Sequence, residues 1–148
     1  MEKLIIPLAT PSKKNSKIFN TKTHRMICSK NYQEWHKAAS LFINSKLKVK
    51  EVDCCFIIML FTHGDKRRRD SDNGVNSIFD TLVDVKTLVD DSWQCIPIHS
   101  VFNVYNKGNP SCEIRIYDLD EFEKYTEDVK QLTTFSLREI VNYKSEQK

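Results

Sequence analysis

The sequence predicts an α+β fold, in which a small mixed β-sheet with flanking helices forms a single compact domain and a C-terminal helix follows. Its length of 148 residues is that of one ordinary domain. Residues 52–62 form a continuous β-branched and aromatic run, which is typical of a buried strand. Residues 75–83 carry apolar side chains at helical spacing. No repeat, linker or low-complexity segment divides the chain, so we expect one folding unit.

The N-terminal half predicts a strand, a polar loop and a helix. Residues 3–9 alternate loosely like a strand, residues 10–23 read as a polar loop, and 25–28 as a short extended piece. Ser29 is suited to cap a helix over 30–47. One face of that helix gathers the apolar side chains Tyr32, Trp35, Ala39, Phe42 and Ile43.

The C-terminal half continues with the buried strand 52–62 and a second amphipathic helix. That helix carries one apolar stripe, made of Val75, Ile78, Phe79, Leu82 and Val83. Residues 95–105 and 111–117 read as two strands, and the composition of 106–110 predicts a hairpin loop between them.

We divide the chain into a core, 1–118, and a C-terminal helical extension of the same domain, 119–148. The extension spaces four apolar residues to face one surface: Phe122, Tyr125, Val129 and Leu132. Such a helix usually covers a core face, and the alternative is a surface for a partner.

Composition excludes several classes of protein. Apolar residues make up 40% and charged residues 29%, which is ordinary for a globular chain, and the net charge of +3 points to no particular partner. The longest apolar run, 54–61, is far shorter than the roughly 20 residues of a membrane helix. We therefore expect no membrane association. The sequence contains neither a G-x-x-x-x-G-K-[ST] nor a G-x-G-x-x-G motif, so we expect no nucleotide cofactor.

The cysteines predict a reducing compartment. The chain has 5 cysteines, an odd number, and no C-x-x-C spacing. We therefore expect reduced thiols in a cytoplasmic protein, and neither a disulfide framework nor a zinc site.

The candidate catalytic residues lie in a basic run and in the acidic residues that directly follow it. Residues 66–69 read Lys-Arg-Arg-Arg, and Asp70 and Asp72 follow two residues apart. In an extended backbone that spacing points both carboxylates the same way. Asp90 and Asp91 come one helix later. If the next strand runs beside the earlier one, Asp91 can approach the first pair.

Such a cluster calls for a cation. At about 4 Å two carboxylates repel by on the order of 4 kcal/mol at an effective dielectric of 20. A divalent ion such as Mg²⁺ offsets this repulsion, because it takes carboxylate and phosphate oxygens together. It can also activate water for phosphodiester cleavage. The neighbouring guanidinium groups are suited to hold the phosphates.

Each part also has a purely structural interpretation. The D-x-D pair can be a helix cap plus a solvated acid, because a carboxylate at a helix N-terminus accepts from free N–H groups. The basic run can be a solvated loop that pairs with those acids, and Asp90 and Asp91 can form an ordinary acidic turn. The order of basic run, D-x-D-N, amphipathic helix and second acidic pair is more specific than any one of these parts.

That order resembles the RusA family of Holliday-junction resolvases. The resemblance rests on the segment 67–73, Arg-Arg-Arg-Asp-Ser-Asp-Asn, on Phe79-Asp80 with Leu82, and on Val89-Asp90-Asp91 with Gln94. Residues 11–15, Pro-Ser-Lys-Lys-Asn, also resemble the N-terminal P-x-x-x-N loop of the family. The match spans 1–117 in order and does not extend to the C-terminal tail.

The resemblance implies a small homodimeric endonuclease that binds four-way junction DNA. It would nick two opposing strands symmetrically with Mg²⁺ or Mn²⁺. Asp70, Asp72 and Asp91 are the implied catalytic and metal-binding carboxylates, with Asp90 as a further metal-site neighbour. The residues we expect to contact DNA are Lys13, Lys14, Asn15, Lys66, Arg67, Arg68, Arg69, Asn73 and Asn76.

One position departs from the family pattern. A lysine usually follows the Asn of D-x-D-N by three residues, and here that residue is Asn76. Lys66, Lys86 or an arginine of 67–69 are the candidates to supply the missing charge. The alternative function is a branched-DNA-binding protein with weak or no cleavage activity.

Two further side chains are candidates for contact with DNA. His63 lies next to the basic run and can contact a phosphate, although we favour a solvated loop histidine there. Phe19 sits in a polar basic loop and is a candidate for insertion at a junction.

Overall fold

Two layers of helices enclose a four-stranded sheet in the computed structural model, which describes residues 1–145. The last three residues of the predicted extension, 146–148, lie outside the described residues. The strands are β1 (Glu2–Ile6), β2 (Lys17–Asn20), β3 (Arg25–Cys28), β4 (Phe56–His63), β5 (Ile98–Tyr105) and β6 (Ser111–Tyr117). The helices are α1 (Lys30–Lys46), α2 (Val75–Asp84) and α3 (Phe122–Ser145), with short 3₁₀ turns at Lys14–Ser16 and Leu119–Glu121.

The sheet is mixed, as the sequence predicts, and its strand order is β1-β6-β4-β5. Strands β4 and β5 are parallel, while β6 pairs antiparallel with both β4 and β1. Ile57 and Met59 of β4 belong to the core shared with α1 and α2. Phe56 and Ile58 belong to a second core under α3. Because β4 is buried on both faces, its sequence is a continuous apolar run instead of an alternating one.

The predicted hairpin at 106–110 is wrong, because β4 lies between β5 and β6. The loop instead crosses the end of β4, where the Asn106 amide donates to the His63 carbonyl (2.9 Å). The Gly108 amide donates to the Gly64 carbonyl at the same distance. A Cβ on Gly64 would lie 2.9 Å from Cδ of Pro110, so this close crossing requires a glycine. Composition identified the turn but not the strands that it connects.

The N-terminal half differs from the prediction in one element. The predicted polar loop 10–23 contains β2, which forms a separate two-stranded sheet with β3. Most side chains of this hairpin are exposed, so burial leaves no clear pattern in its sequence. Helix α1 begins where predicted, because Ser29 Oγ accepts from the Tyr32 amide at 3.3 Å.

The C-terminal helix packs on the sheet, as the default interpretation predicts. Tyr125 and Leu132 are buried against Phe56 and Ile58, and Val129 packs beside them. The Tyr125 hydroxyl lies 2.8 Å from Ser100 Oγ on β5. Helix α3 therefore belongs to the same compact α+β domain as the sheet. No helix within residues 1–145 has both the length and the apolar character needed to cross a membrane.

Candidate functional site

The acidic motif occupies a tight turn and not an extended segment. The Asn73 amide donates to the Asp70 carbonyl (3.3 Å), and the Val75 amide donates to the Asp72 carbonyl (3.0 Å). As a result Asp70 and Asp72 line different cavities. The prediction that both carboxylates point the same way is wrong, because the chain turns here to enter α2.

The carboxylates of this turn do not cap α2. Gly74 is the capping residue, and α2 has no side-chain cap hydrogen bond. A Cβ on Gly74 would lie 2.7 Å from the Phe61 ring, so only glycine lets the helix start this close to β4. The side chains of Asp70 and Asp72 are therefore not consumed by helix capping.

Two of the predicted catalytic carboxylates lie in one cavity. This carboxylate cavity, of about 370 Å³, is lined by Asp72, Asp91 and Asn76 together with Ser71, Val75, Phe79, His99 and Val101. Strand β5 runs beside β4, as the approach of Asp91 to the first acidic pair requires, but of that pair only Asp72 lines the same cavity as Asp91. His99 packs edge-on against the Phe79 ring at 5.3 Å. The sequence alone did not point to His99, because its place beside Asp72 and Asp91 depends on the pairing of β5 with β4.

Asp90 has a local structural task. Its Oδ1 accepts from the Asp91 amide at 2.9 Å. Hydrogen bonds from the Ser92 hydroxyl and the Asp91 amide hold the pKa of the Asp90 carboxyl below its usual range. Asp90 thus stabilises the turn that presents Asp91, and it does not line the carboxylate cavity.

The third carboxylate lies among the predicted DNA-binding residues. A basic cavity of about 350 Å³ joins the N-terminal loop to the basic run, and its lining includes Asn15, Arg67, Arg68, Arg69, Asp70 and Asn73. Ser12 Oγ donates to Asn73 Oδ1 (3.4 Å), and Asn73 Nδ2 donates to Asp70 Oδ2 (3.5 Å). The structure thus brings two distant segments of the predicted interface together.

Asp65 holds two arginines of the basic run, and sequence analysis did not select it. Arg67 donates to its Oδ2 from Nε (3.0 Å) and a terminal nitrogen (2.8 Å). Arg69 donates to both oxygens, at 2.7 and 2.8 Å. These bonds, those from Arg69 foremost, hold the pKa of Asp65 far below its usual range. Arg68 makes no ion pair within residues 1–145. An acidic residue directly before four cations was the available signal.

The lysines of the predicted interface have defined contacts. Lys13 Nζ lies 2.8 Å from Asp80 Oδ2, and hydrogen bonding to that carboxylate raises the pKa of Lys13. Lys14 is exposed on the 3₁₀ turn. Lys66 Nζ lies over the rings of Tyr105 and Tyr143, 5.5 and 5.1 Å from their centroids. Lys13 is therefore held to α2 and Lys66 to an aromatic pair.

Two remaining candidates take different positions. His63 is not a solvated loop residue, because it ends β4 and its Nε2 lies 2.8 Å from Asn103 Oδ1. It lines the basic cavity together with Asn103, which sequence analysis did not select. Phe19 is 57% exposed on the β2–β3 hairpin, so its ring is accessible to a partner.

The donors of the carboxylate cavity fit a hard divalent ion only as a two-carboxylate set. Within residues 1–145, no three His, Cys, Asp or Glu side chains are close enough together to hold a metal ion. Asp72 and Asp91 are nevertheless oxygen donors of the kind Mg²⁺ takes, since it uses one or two carboxylates plus substrate phosphates. Asp70 lines the basic cavity instead, and Ser71 lines both.

Comparison with known proteins leaves the chain unassigned. No protein-family model matches it, and no curated protein does.

Proposed function

We propose that the protein is a metal-dependent, structure-selective DNA endonuclease that resolves four-way junctions by paired symmetric nicks. One observation carries the proposal. The 70–73 turn separates a cavity that contains Asp72 and Asp91 from a cavity that contains Arg67–Arg69 and Asp70. Donors suited to a divalent ion thus lie next to cations suited to a phosphate backbone. The sequence resemblance to the RusA family adds the junction substrate.

Each side of the turn has its own task in this mechanism. Arg67 and Arg69 are paired with Asp65, whereas Arg68 has no ion pair within the described residues. Of these three arginines, Arg68 is therefore the one most available to bind a phosphate of the DNA strand. Asp72 and Asp91 would hold Mg²⁺ or Mn²⁺, which when bound lowers the pKa of a water and stabilises the leaving oxygen. Asp70 borders the path of the phosphates, and Asn76 can hydrogen-bond one of them.

The test compares a mobile-core junction, an immobile junction and linear duplex, with and without Mg²⁺. We expect paired symmetric nicks in the mobile junction only, and only with metal. Asp72→Asn and Asp91→Asn should each lower cleavage by more than the roughly 10- to 100-fold that loss of a partner behind a metal ligand costs, because the ligand itself is lost. Asp70→Asn should keep or tighten junction binding, because a negative charge near phosphate is removed, and it should lower cleavage less than the two ligand variants, because Asp70 lines the basic cavity. Asp120→Asn, at an exposed residue far along the chain, is the charge-matched control.

A second candidate function is recognition of branched DNA with little or no cleavage. Asn76 favours it, because this uncharged side chain lines the carboxylate cavity and stands where the RusA family, which the sequence resembles, usually has a lysine. Lys66 lines a different cavity and is held by two tyrosines, so it is a poor replacement. Tight junction binding without nicks, together with a many-fold gain of cleavage in Asn76→Lys, would establish this candidate. Equal affinity for junction and duplex would contradict both functions.

A further inference from the structure

A third cavity lies between the ends of β4 and β5 and the last turns of α3. This aromatic cavity, of about 300 Å³, is bordered by Tyr105 of β5 and by Ile140 and Tyr143 of α3. The two tyrosine rings meet edge to face, with centroids 5.5 Å apart. Its size is at the lower end of the range for small-molecule sites, which is suited to one flat ring system.

Polar groups form the other side of the aromatic cavity. His63 Nε2 and Asn103 Oδ1 lie 2.8 Å apart there and present a histidine ring and an amide. Arg67, Arg69 and Asp70 line this cavity and the basic cavity alike. The two cavities are therefore neighbours along the same basic run.

We propose that the aromatic cavity receives one unstacked base of a nucleic-acid strand whose phosphates lie along Arg67–Arg69. This inference rests on the proposed function for its substrate and adds a base-binding site that includes the C-terminal helix. Any of the four bases can stack on a tyrosine ring, because each has a flat aromatic face. The amide of Asn103 can form hydrogen bonds with the edge of the base. The cost of unstacking is lowest where pairing is already interrupted, as at a branch point.

The tyrosine rings of the aromatic cavity are covered by Lys66 of the same chain. Its ammonium group lies over both rings, a cation–π arrangement that any cation or flat π-system can replace. Because the two rings stand edge to face, a base stacks on one of them, and it displaces the ammonium group when it does. Lys66 is exposed and flexible, so it then swings towards the phosphates of the bound strand.

The test measures binding in EDTA, so that cleavage plays no part. A four-way junction and a single-stranded oligonucleotide are each prepared with one abasic site, which is moved through the branch or along the strand. For the parent protein, one abasic position should weaken binding by about 5- to 150-fold, the range of one stacked base. Tyr143→Ala should remove that difference, and Tyr143→Phe should keep it because the ring remains.

Two controls separate base binding from other roles of Tyr143. Leu137→Ala changes a 60% exposed residue of the same helix and should leave the abasic effect intact. Lys66→Met removes the charge and leaves the rings, so the abasic effect should persist. Thermal unfolding of each variant checks the fold, and Tyr105→Leu on β5 repeats the test if Tyr143→Ala unfolds.

The inference is overturned if no abasic position weakens binding by the parent protein. It is also overturned if Tyr143→Ala weakens binding to intact and abasic DNA equally, because Tyr143 would then act through Lys66 or the helix. Failure of the proposed function looks different. If the junction is neither preferred nor cut, but the abasic effect on the single strand depends on Tyr143, then the base site stands alone.

Discussion

Asp65 controls how many charges the basic run offers to a partner. Its carboxylate binds both Arg67 and Arg69, and only Arg68 of the three arginines has no ion pair within residues 1–145. Because the pKa of Asp65 is depressed, the carboxyl stays ionised far into acid. A moderate fall in pH therefore does not release the arginines, whereas a substitution or a competing phosphate does.

We predict that Asp65→Asn binds DNA more tightly and with a steeper dependence on salt. Each guanidinium released to a phosphate should add about 0.9 to the slope of log affinity against log salt, so two should add about 1.8. Fluorescence anisotropy over a series of salt concentrations measures that slope. Asp120→Asn makes the same charge change at a distant exposed residue. Equal slopes for the two variants would mean that Asp65 does not restrain the arginines.

At the scale of single residues, the sequence predicted part of the candidate site. Spacing predicted that Asp91 would approach both Asp70 and Asp72 if two strands ran side by side, and of these two only Asp72 lines the same cavity as Asp91. It did not predict the separation of Asp70 from Asp72. That separation depends on whether four residues turn or extend, which backbone hydrogen bonds decide. The sequence did hold a signal for Asp65, an acid directly before four cations, whereas the contact of His99 with Phe79 is one that only the folded chain creates.

At the scale of elements, one buried hydroxyl fastens the N-terminal loop to α2. Ser77 Oγ donates to the Pro11 carbonyl (2.7 Å) and accepts from the Lys13 amide (3.0 Å). Ser77 is fully buried, and the ion pair of Lys13 with Asp80 lies beside it. These contacts hold the predicted interface residues of the loop against the D-x-D-N turn.

We predict that Ser77→Ala lowers the free energy of unfolding by about 1–3 kcal/mol, because it leaves a carbonyl and an amide of the loop without their partner. Urea denaturation measures the loss. Ser45→Ala is the matched control, since Ser45 is exposed and its hydroxyl bonds only a carbonyl of its own helix. If both variants lose the same stability, the loop is held by other contacts.

Elements were easier to predict than their pairing. Helices α1 and α2 follow the predicted apolar stripes, because helical periodicity is a property of each segment alone. The predicted pairing of β5 with β6 is wrong, because β4 lies between them at the centre of the sheet. Strand pairing depends on the positions of all the strands in the sheet. The unbroken apolar run of β4 indicates its central position in the sheet. A strand buried on both faces belongs in the centre, and β5 and β6 then have to flank it.

At the scale of the whole molecule, one chain supplies one carboxylate cavity and one basic cavity. A four-way junction has two strands to cut, related by a two-fold axis. Paired nicks therefore require two copies of the chain related by the same symmetry. The proposed function thus includes a homodimer in which each copy cuts one strand.

The last prediction concerns dimers that mix a parent chain with an Asp91→Asn chain. The two chains are co-expressed with different tags and purified by both tags in succession. A supercoiled plasmid with an extruded cruciform reports the result, since two nicks linearise the plasmid and one nick only relaxes it. We expect nicked circles from the mixed dimer and linear plasmid from a doubly tagged parent dimer, because each active site cuts one strand. Linear product from the mixed dimer at the parent rate would contradict one cut per chain. Sedimentation as a monomer under cleavage conditions would contradict the dimer itself.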